Sequence, residues 1–298
     1  MMKTLFLGVT LSCTLSIFAQ QPAQTLPTNG VTGIVKRHEN FSSRFVDARN
    51  VDVWLPAGYD RNKLKRYPVV YMHDGQMLFD ATTTWNHQEW GIDETMTRLI
   101  GDGRIREAIV VGVWNTPKRF AEYMPQKAVT ASEVRALKDA PAVKREQIAS
   151  DNYLKFLVYE MKPFIDATYR TLPGRKDTFI MGSSMGGLIS AYAMSEYPNI
   201  FGGGGCISTH FPAGDGIVID YLKTHLPDAR THKFYFDYGT ETLDANYEPY
   251  QLKMNEVMRN AGYKEGENWV TKKFLGADHT ERSWSKRVDI PLIFLLHK

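Results

Sequence analysis

The sequence predicts an α/β fold in which a mostly parallel central sheet carries helices on both faces. Three observations predict it. Short, almost continuously apolar runs at residues 67–72 and 108–113 read as strands covered on both sides. Amphipathic stretches alternate with such runs along the chain, the pattern of strands joined by helical crossovers. Residues 178–181 feed the turn Gly182-Ser183-Ser184-Met185-Gly186, and the apolar residues behind it read as helix. With 298 residues, 43% of them hydrophobic and 23% charged, the chain can bury the core such a sheet requires.

The elements follow in order. Residues 1–20 hold Lys3, an apolar stretch from Leu5 to Phe18 and then Ala19, which reads as a secretory signal peptide. The stretch is too short and isolated to be a stable membrane anchor. Cys13 lies inside it, behind Thr10-Leu11-Ser12, a poor lipid-attachment context, and Cys206 is then left alone, a small buried residue in an apolar setting. Residues 21–32 read as a flexible lead-in with two prolines, and residues 33–298 as a single domain. Residues 51–55 alternate apolar and polar side chains and predict a half-exposed outer strand, whereas 67–72 predicts a buried one.

A short helix is expected over 92–100, stopped by Gly101, then a strand over 108–113. From 114 to 150 the pattern lapses, and a long connection leaving the same sheet edge as Ser184 is expected to cap a cleft, with Glu133 to Glu146 as a solvated surface helix. Residues 151–169 predict an amphipathic helix, 202–208 a glycine-rich strand, 217–224 a helix and 233–238 a strand. Then come a helix over 246–261, a strand over 269–274 and one or two closing helices over 283–296.

The formal net charge of +3 is small and its basic residues are interspersed with acidic ones, so no nucleic-acid footprint exists. The chemistry points elsewhere. A serine at the tip of a strained strand-to-helix turn projects its hydroxyl from the sheet edge, and the small residues two before and two after it let backbones pass closely. Ser184 occupies that position, and the helix opening at Met185 aims free N–H groups beside it. The strand over 67–72 ends in His73-Asp74-Gly75-Gln76, where a second backbone N–H, that of Gln76, would meet an oxyanion.

A serine hydroxyl needs a base at neutral pH, and histidine suits that task. Only His279 and His297 lie beyond the strand at 233–238. His297 is penultimate behind an apolar run, whereas His279 follows the last strand directly, so His279 is the expected base. The orienting acid is expected after the strand ending at Tyr238, where Glu241 and Asp244 compete. Asp244 is favoured for its place deeper in the turn and its shorter arm. Asp237 and Asp278 read as structural.

The segment Val69-Val70-Tyr71-Met72-His73-Asp74-Gly75-Gln76, the elbow running to Leu188, and Gly276-Ala277-Asp278-His279 followed by Trp284 together resemble the Putative esterase family of esterase D, enterochelin esterases, and feruloyl and acetyl-xylan esterases. The resemblance runs from about residue 51 to 296. It implies an α/β-hydrolase fold without a separate lid domain, Ser184 as nucleophile, His279 as base, and the N–H groups of Gln76 and Met185 as oxyanion donors. Many relatives carry the acid three residues after the glycine ending its strand, and here that position is Thr242, so the likeness leaves Asp244 and Glu241 both open.

The expected activity is that of an exported serine carboxylic-ester hydrolase needing no cofactor and no metal. Its expected substrates are acyl or feruloyl esters of polysaccharides, or a siderophore ester. Acyl transfer to a sugar shares the same acyl-enzyme. A non-catalytic carbohydrate binder would instead use Trp85, Trp90, Trp114, Phe120 and Tyr123 as a platform. Lys118 and Arg119 are candidates for an anionic or phenolate group. His73, Asp74, Asp80 and His87 are neighbours in sequence but lack recognisable metal-ligand spacing. No nucleic-acid partner and no stable membrane span are expected, and oligomeric state is not legible.

Overall fold

A computed structural model describes residues 20, 22–26, 30–129 and 147–297. Residues 1–19 of the expected 1–20 signal peptide, with Cys13, and the run from Glu133 to Glu146 lie outside the described residues. Among the described residues nine strands form one sheet: β1 Gln24–Thr25, β2 Ile34–Phe41, β3 Arg49–Leu55, β4 Val69–His73, β5 Ile109–Val113, β6 Thr178–Ser183, β7 Gly203–Ile207, β8 Lys233–Tyr238 and β9 Trp269–Lys273. Their spatial order is β1-β2-β3-β5-β4-β6-β7-β8-β9. The first two neighbour pairs and the β3–β5 pair are antiparallel, and every later pair is parallel. The helices are α1 Ile92–Gly101, α2 Arg119–Tyr123, α3 Ser150–Phe156, α4 Lys162–Thr168, α5 Met185–Glu196, α6 Ile217–His225, α7 Glu248–Asn260, α8 Glu281–Ser285 and α9 Asp289–Leu296.

Alternation along the strands divides the core in two. Val69, Tyr71 and Ile180 face a larger cluster with α3, α5 and α6, whereas Val70, Met72, Phe179 and Met181 face a smaller one with α1 and α9. Burial on both faces explains why these strands read as unbroken apolar runs. Chain order reverses at β4: its first crossover leads to β5 on one side, and β6 then lies on the other. The carboxyl ends of β4 and β6 therefore flank a topological switch point, the place where open α/β sheets bind ligands.

Two elements differ from expectation. Strand β3 is interior, with Asp52 only 2% exposed. Its polar member is neutralised by the Nε and Nη2 of Arg37, both at 2.8 Å, and by Trp114 Nε1 at 2.8 Å. The polar strand β2, which has no apolar run to reveal it, takes the outer place, and Gln24–Thr25 of the 21–32 segment pairs along its far side. The helix over 151–169 contains a π turn, Leu157–Met161, in which Lys162 N–H reaches back to the Leu157 carbonyl. Pro163 cannot donate to a carbonyl in the preceding turn, and the widened turn accommodates that missing bond.

The connection after β5 is anchored by a buried ion pair. Arg49 Nη1 and Nη2 grip Glu122 at 2.8 and 2.7 Å, and the guanidinium lies over Tyr153 and Phe156. A carboxylate buried alone is far costlier than one paired. Arg49→Met should lower unfolding free energy by about 3–5 kcal/mol in urea titrations, and adding Glu122→Leu should recover most of that loss.

Candidate active site

Ser184 sits between β6 and α5 with φ 58° and ψ −121°, a left-handed conformation that side chains rarely adopt. Three backbone hydrogen bonds hold it there: its N–H donates to Ile207 O at 2.9 Å, and its carbonyl accepts from Leu188 N at 3.1 Å and His210 N at 3.2 Å. Gly182, two residues before it, is required by close approach. A Cβ on Gly182 would lie 2.9 Å from the Gly186 carbonyl carbon and 3.0 Å from His73 Cδ2. Met185 is the first residue of a twelve-residue helix, where a backbone N–H has no acceptor within the helix.

The end of β4 packs against this elbow. Asp74 has φ 57° and leads into a single 3-10 turn, Gly75–Met77, that carries Gln76. A Cβ on Gly75 would lie 2.4 Å from the Gly112 carbonyl carbon, so glycine alone lets the turn cross β5. Arg119 Nε and Nη2 each donate to the Asp74 carboxylate at 2.7 Å, and Asn115 Nδ2 donates at 2.6 Å. Burial opposes the charge on Asp74, but Arg119 outweighs it and holds the carboxyl below its ordinary range. Asn115 N–H in turn donates to Gln76 Oε1 at 3.1 Å. The turn bearing Gln76 N–H, at the end of the strand that pairs with β6, is thus clamped by Arg119 of α2 and by Asn115.

His279 lies in the loop between β9 and α8. Its Nδ1 meets Asp244 Oδ1 at 2.5 Å, its N–H donates to Thr242 Oγ1 at 3.0 Å, and its ring stands edge-on to Trp284 and Tyr247. Asp244 is buried, and its Oδ2 accepts from Gly239 N and Ser208 Oγ, both at 2.6 Å. Burial works against its charge, but the hydrogen bonds from His279, Ser208 and Gly239 prevail and depress its pKa. Glu241, the alternative acid, is exposed and meets Asp244 only through its carbonyl, which accepts Asp244 N–H at 3.1 Å.

The elbow and the His279–Asp244 pair occupy one edge of the sheet, at the carboxyl ends of β6 to β9. Ile207, which accepts the Ser184 N–H, is followed by Ser208, which donates to Asp244. His210 donates from its backbone to the Ser184 carbonyl and shares a 2.6 Å hydrogen bond with Tyr247 OH, the ring beside His279. Of the seven described non-glycine residues with positive φ, Asp74, Ser184, Ser208 and Thr242 all belong to this edge. Backbone strain of this kind collects where a site is held in one geometry.

Other expectations resolve as structure. His73 is buried with Nδ1 on Tyr153 OH at 2.8 Å, and burial lowers its pKa to about 3, so it is neutral. Asp237 pairs with Arg287 at 3.0 Å, and Asp278 accepts from Thr280 Oγ1 at 2.7 Å and from Ser283 at the start of α8. His297 is exposed at the chain end, and Cys206 is fully buried. The five aromatics form no platform: Trp90 and Tyr123 are buried, Phe120 is half-buried, and Trp114 is held by Asp52 beneath Arg37. Only Trp85 among them stands out, 82% exposed, because packing claimed the others. Lys118 pairs with Asp47 at the surface and Arg119 is committed to Asp74, so neither is an unengaged cation. Among the described residues no group of three or more His, Cys, Asp or Glu is placed to hold a metal, and no helix is long and apolar enough to cross a membrane. Sequence reasoning missed Ser208, Arg287 and the contacts of Thr242, for which no local motif exists.

Residues 42–288 match the family model described as Putative esterase. A protein of Xylanibacter ruminicola, named endo-1,4-beta-xylanase/feruloyl esterase, is 28% identical over 170 residues, 55% of this chain and 20% of its own length. A ferulic acid esterase structure from Anaeromyces mucronatus superposes with a TM-score of 0.64 at 21% identity, over 93% of this chain and 97% of that one. The enterobactin esterase of Shigella flexneri superposes with a TM-score of 0.62 at 18% identity, over 90% of this chain and 61% of that one. With the elbow, the parallel sheet and the match over most of its length in agreement, the chain belongs to the Putative esterase family, is built on the α/β-hydrolase fold and is a carboxylic-ester hydrolase.

Proposed function

We propose that the protein is an exported serine esterase that works through an acyl-enzyme, with Ser184 as nucleophile, His279 as general base and Asp244 as orienting acid. The observation that carries this reading is the 2.5 Å contact between His279 Nδ1 and a buried Asp244, anchored beside the strained elbow. Asp244 fixes the imidazole tautomer so that Nε2 is the basic nitrogen, and stabilises the imidazolium formed during attack. His279 takes the Ser184 proton as the serine oxygen bonds to the ester carbonyl carbon. The N–H groups of Gln76 and Met185 hold the oxyanion, and the imidazolium returns its proton to the departing alkoxide. Water, deprotonated by the same imidazole, then releases the acid. The clamp from Arg119 and Asn115 onto the Asp74–Gln76 turn supports the reading, because oxyanion donors act through rigid placement.

The substrates we propose are acyl or feruloyl esters carried by polysaccharides. The relative named a xylanase/feruloyl esterase and the ferulic acid esterase fold support that class, as does the leader over 1–20, which would send the enzyme to where such polymers lie. Methyl ferulate and acetylated xylan should be turned over faster than enterobactin, whereas a preference for enterobactin would move the assignment to a siderophore ester. Product analysis with and without a sugar alcohol should give free acid in both, and acylated sugar as the main product would make the enzyme a transferase.

Ser184→Ala should cut kcat by about ten-thousand- to a million-fold and abolish fluorophosphonate labelling, while shifting stability by only about 0.5 kcal/mol. The two acids separate cleanly in steady-state kinetics. Asp244→Asn should lower kcat by about ten-thousand-fold and Glu241→Gln should leave it unchanged, the opposite ranking assigning the acid to Glu241.

A further inference from the structure

Ser208, immediately after β7, is fully buried and has φ 39°. Its Oγ is the meeting point of three side chains from elsewhere in the chain: Asp244 Oδ2 at 2.6 Å, Arg287 Nη2 at 2.8 Å and Trp284 Nε1 at 3.1 Å. An indole N–H and a guanidinium only donate. With both aimed at the hydroxyl oxygen, its lone pairs are taken, and its single proton has one acceptor left, the Asp244 carboxylate. We propose that Ser208 is a positioning residue for ester hydrolysis: Arg287 and Trp284 fix the direction of its hydroxyl, and the hydroxyl locks the Asp244 carboxylate with Oδ1 turned to His279. The inference rests on the Ser184, His279 and Asp244 reading and deepens it.

The arrangement meets a specific electrostatic need. Asp244 must stay charged to balance an imidazolium, yet must not be neutralised by a permanent partner. Arg287 is balanced by Asp237 instead, through Nη2–Oδ1 at 3.0 Å and Nε–Oδ2 at 3.3 Å, and reaches Asp244 only through the neutral Ser208. Asp237 also accepts Ser208 N–H at 3.1 Å and Tyr235 OH at 3.0 Å, which holds the serine backbone in its unusual conformation. Gly239 N–H and Ser208 Oγ together occupy Oδ2, so the carboxylate plane cannot turn away from His279. Trp284 serves twice, donating to Ser208 and standing 5.0 Å edge-on to the imidazole. Titratable and charged groups around the pair include Tyr235 and Asp237 on β8, Tyr247 ahead of α7 with His210 on its hydroxyl, Asp278 next to His279 with Arg282 on it, and Arg287.

The test is Ser208→Ala in the mature enzyme, assayed with a p-nitrophenyl ester and normalised to fluorophosphonate-titrated sites. The expected result is a fall in kcat of about 10- to 100-fold per titrated site, the worth of one hydrogen bond to a charged group, with little change in KM, and an acid limb of the kcat profile moved to higher pH. A carboxylate that loses a donor holds the imidazolium more tightly, which sets the direction of that shift. Trp284→Phe keeps the aromatic packing and removes one donor, and should move both readouts the same way by less. It decides the question if Ser208→Ala does not fold. Unchanged kcat per titrated site and an unmoved acid limb, in Ser208→Ala or, failing that, in Trp284→Phe, would overturn the proposal. Ser184→Ala separates the two levels: if it retains turnover the nucleophile assignment fails and this proposal with it, and if it is inactive while Ser208→Ala is normal, only this proposal fails.

Discussion

The structure depends on one backbone constraint, the reversal at Ser184 from strand into helix with φ 58°. No unsupported serine would hold that conformation, and its support determines what surrounds it. A Cβ on Gly182 would run into the Gly186 carbonyl and His73 at the end of β4, and one on Gly186 would press on the His73 and Asp74 side chains. The bonds to Ile207 and His210 tie the same residue to the end of β7. An elbow pinned on both sides brings the ends of β4, β6 and β7 together, with Asp74, Ser184 and Ser208 at these ends, while Asp244 and His279 follow β8 and β9.

Those groups are arranged as two clamps rather than as isolated side chains. On one side Arg119 and Asn115 hold Asp74, which fixes the turn presenting Gln76. On the other, Ser208, Gly239 and His279 together surround Asp244. Each clamp buries a carboxylate and surrounds it with donors, which offsets the cost of desolvating the charge and fixes its orientation. The strained conformations of Asp74, Ser208 and Thr242 sit at the joints of these clamps, where packing from several elements over-determines the backbone.

Much of this was legible in the sequence because some constraints are local. The strand-turn-helix pattern around Ser184 and the apolar runs of β4, β5 and β6 are short-range signals of burial and of glycine chemistry, and they place the elbow and the sheet correctly. Elimination singles out His279, since the other histidine beyond β8 is at the chain end, and the structure places it against Asp244. Between Asp244 and Glu241 the sequence offered only arm length and depth, whereas the structure shows Asp244 buried against the imidazole and Glu241 exposed. What stayed hidden is non-local. The interior place of β3 depends on β2 covering it and on Arg37 neutralising Asp52, and the aromatic residues proposed as a platform are mostly consumed by packing. Ser208 lies 36 residues from Asp244 and has no motif, so only folding reveals the contact.

In the proposed reaction an ester's acyl group passes through the Ser184 oxygen. Rapid acid quenching during turnover of a p-nitrophenyl ester, followed by peptide mass spectrometry, tests it most directly. An acyl group on the peptide containing Ser184, localised to that side chain, is the expected outcome. Turnover with no trapped acyl-enzyme in a quench fast enough to capture it, or an acyl group on a different residue, would contradict it.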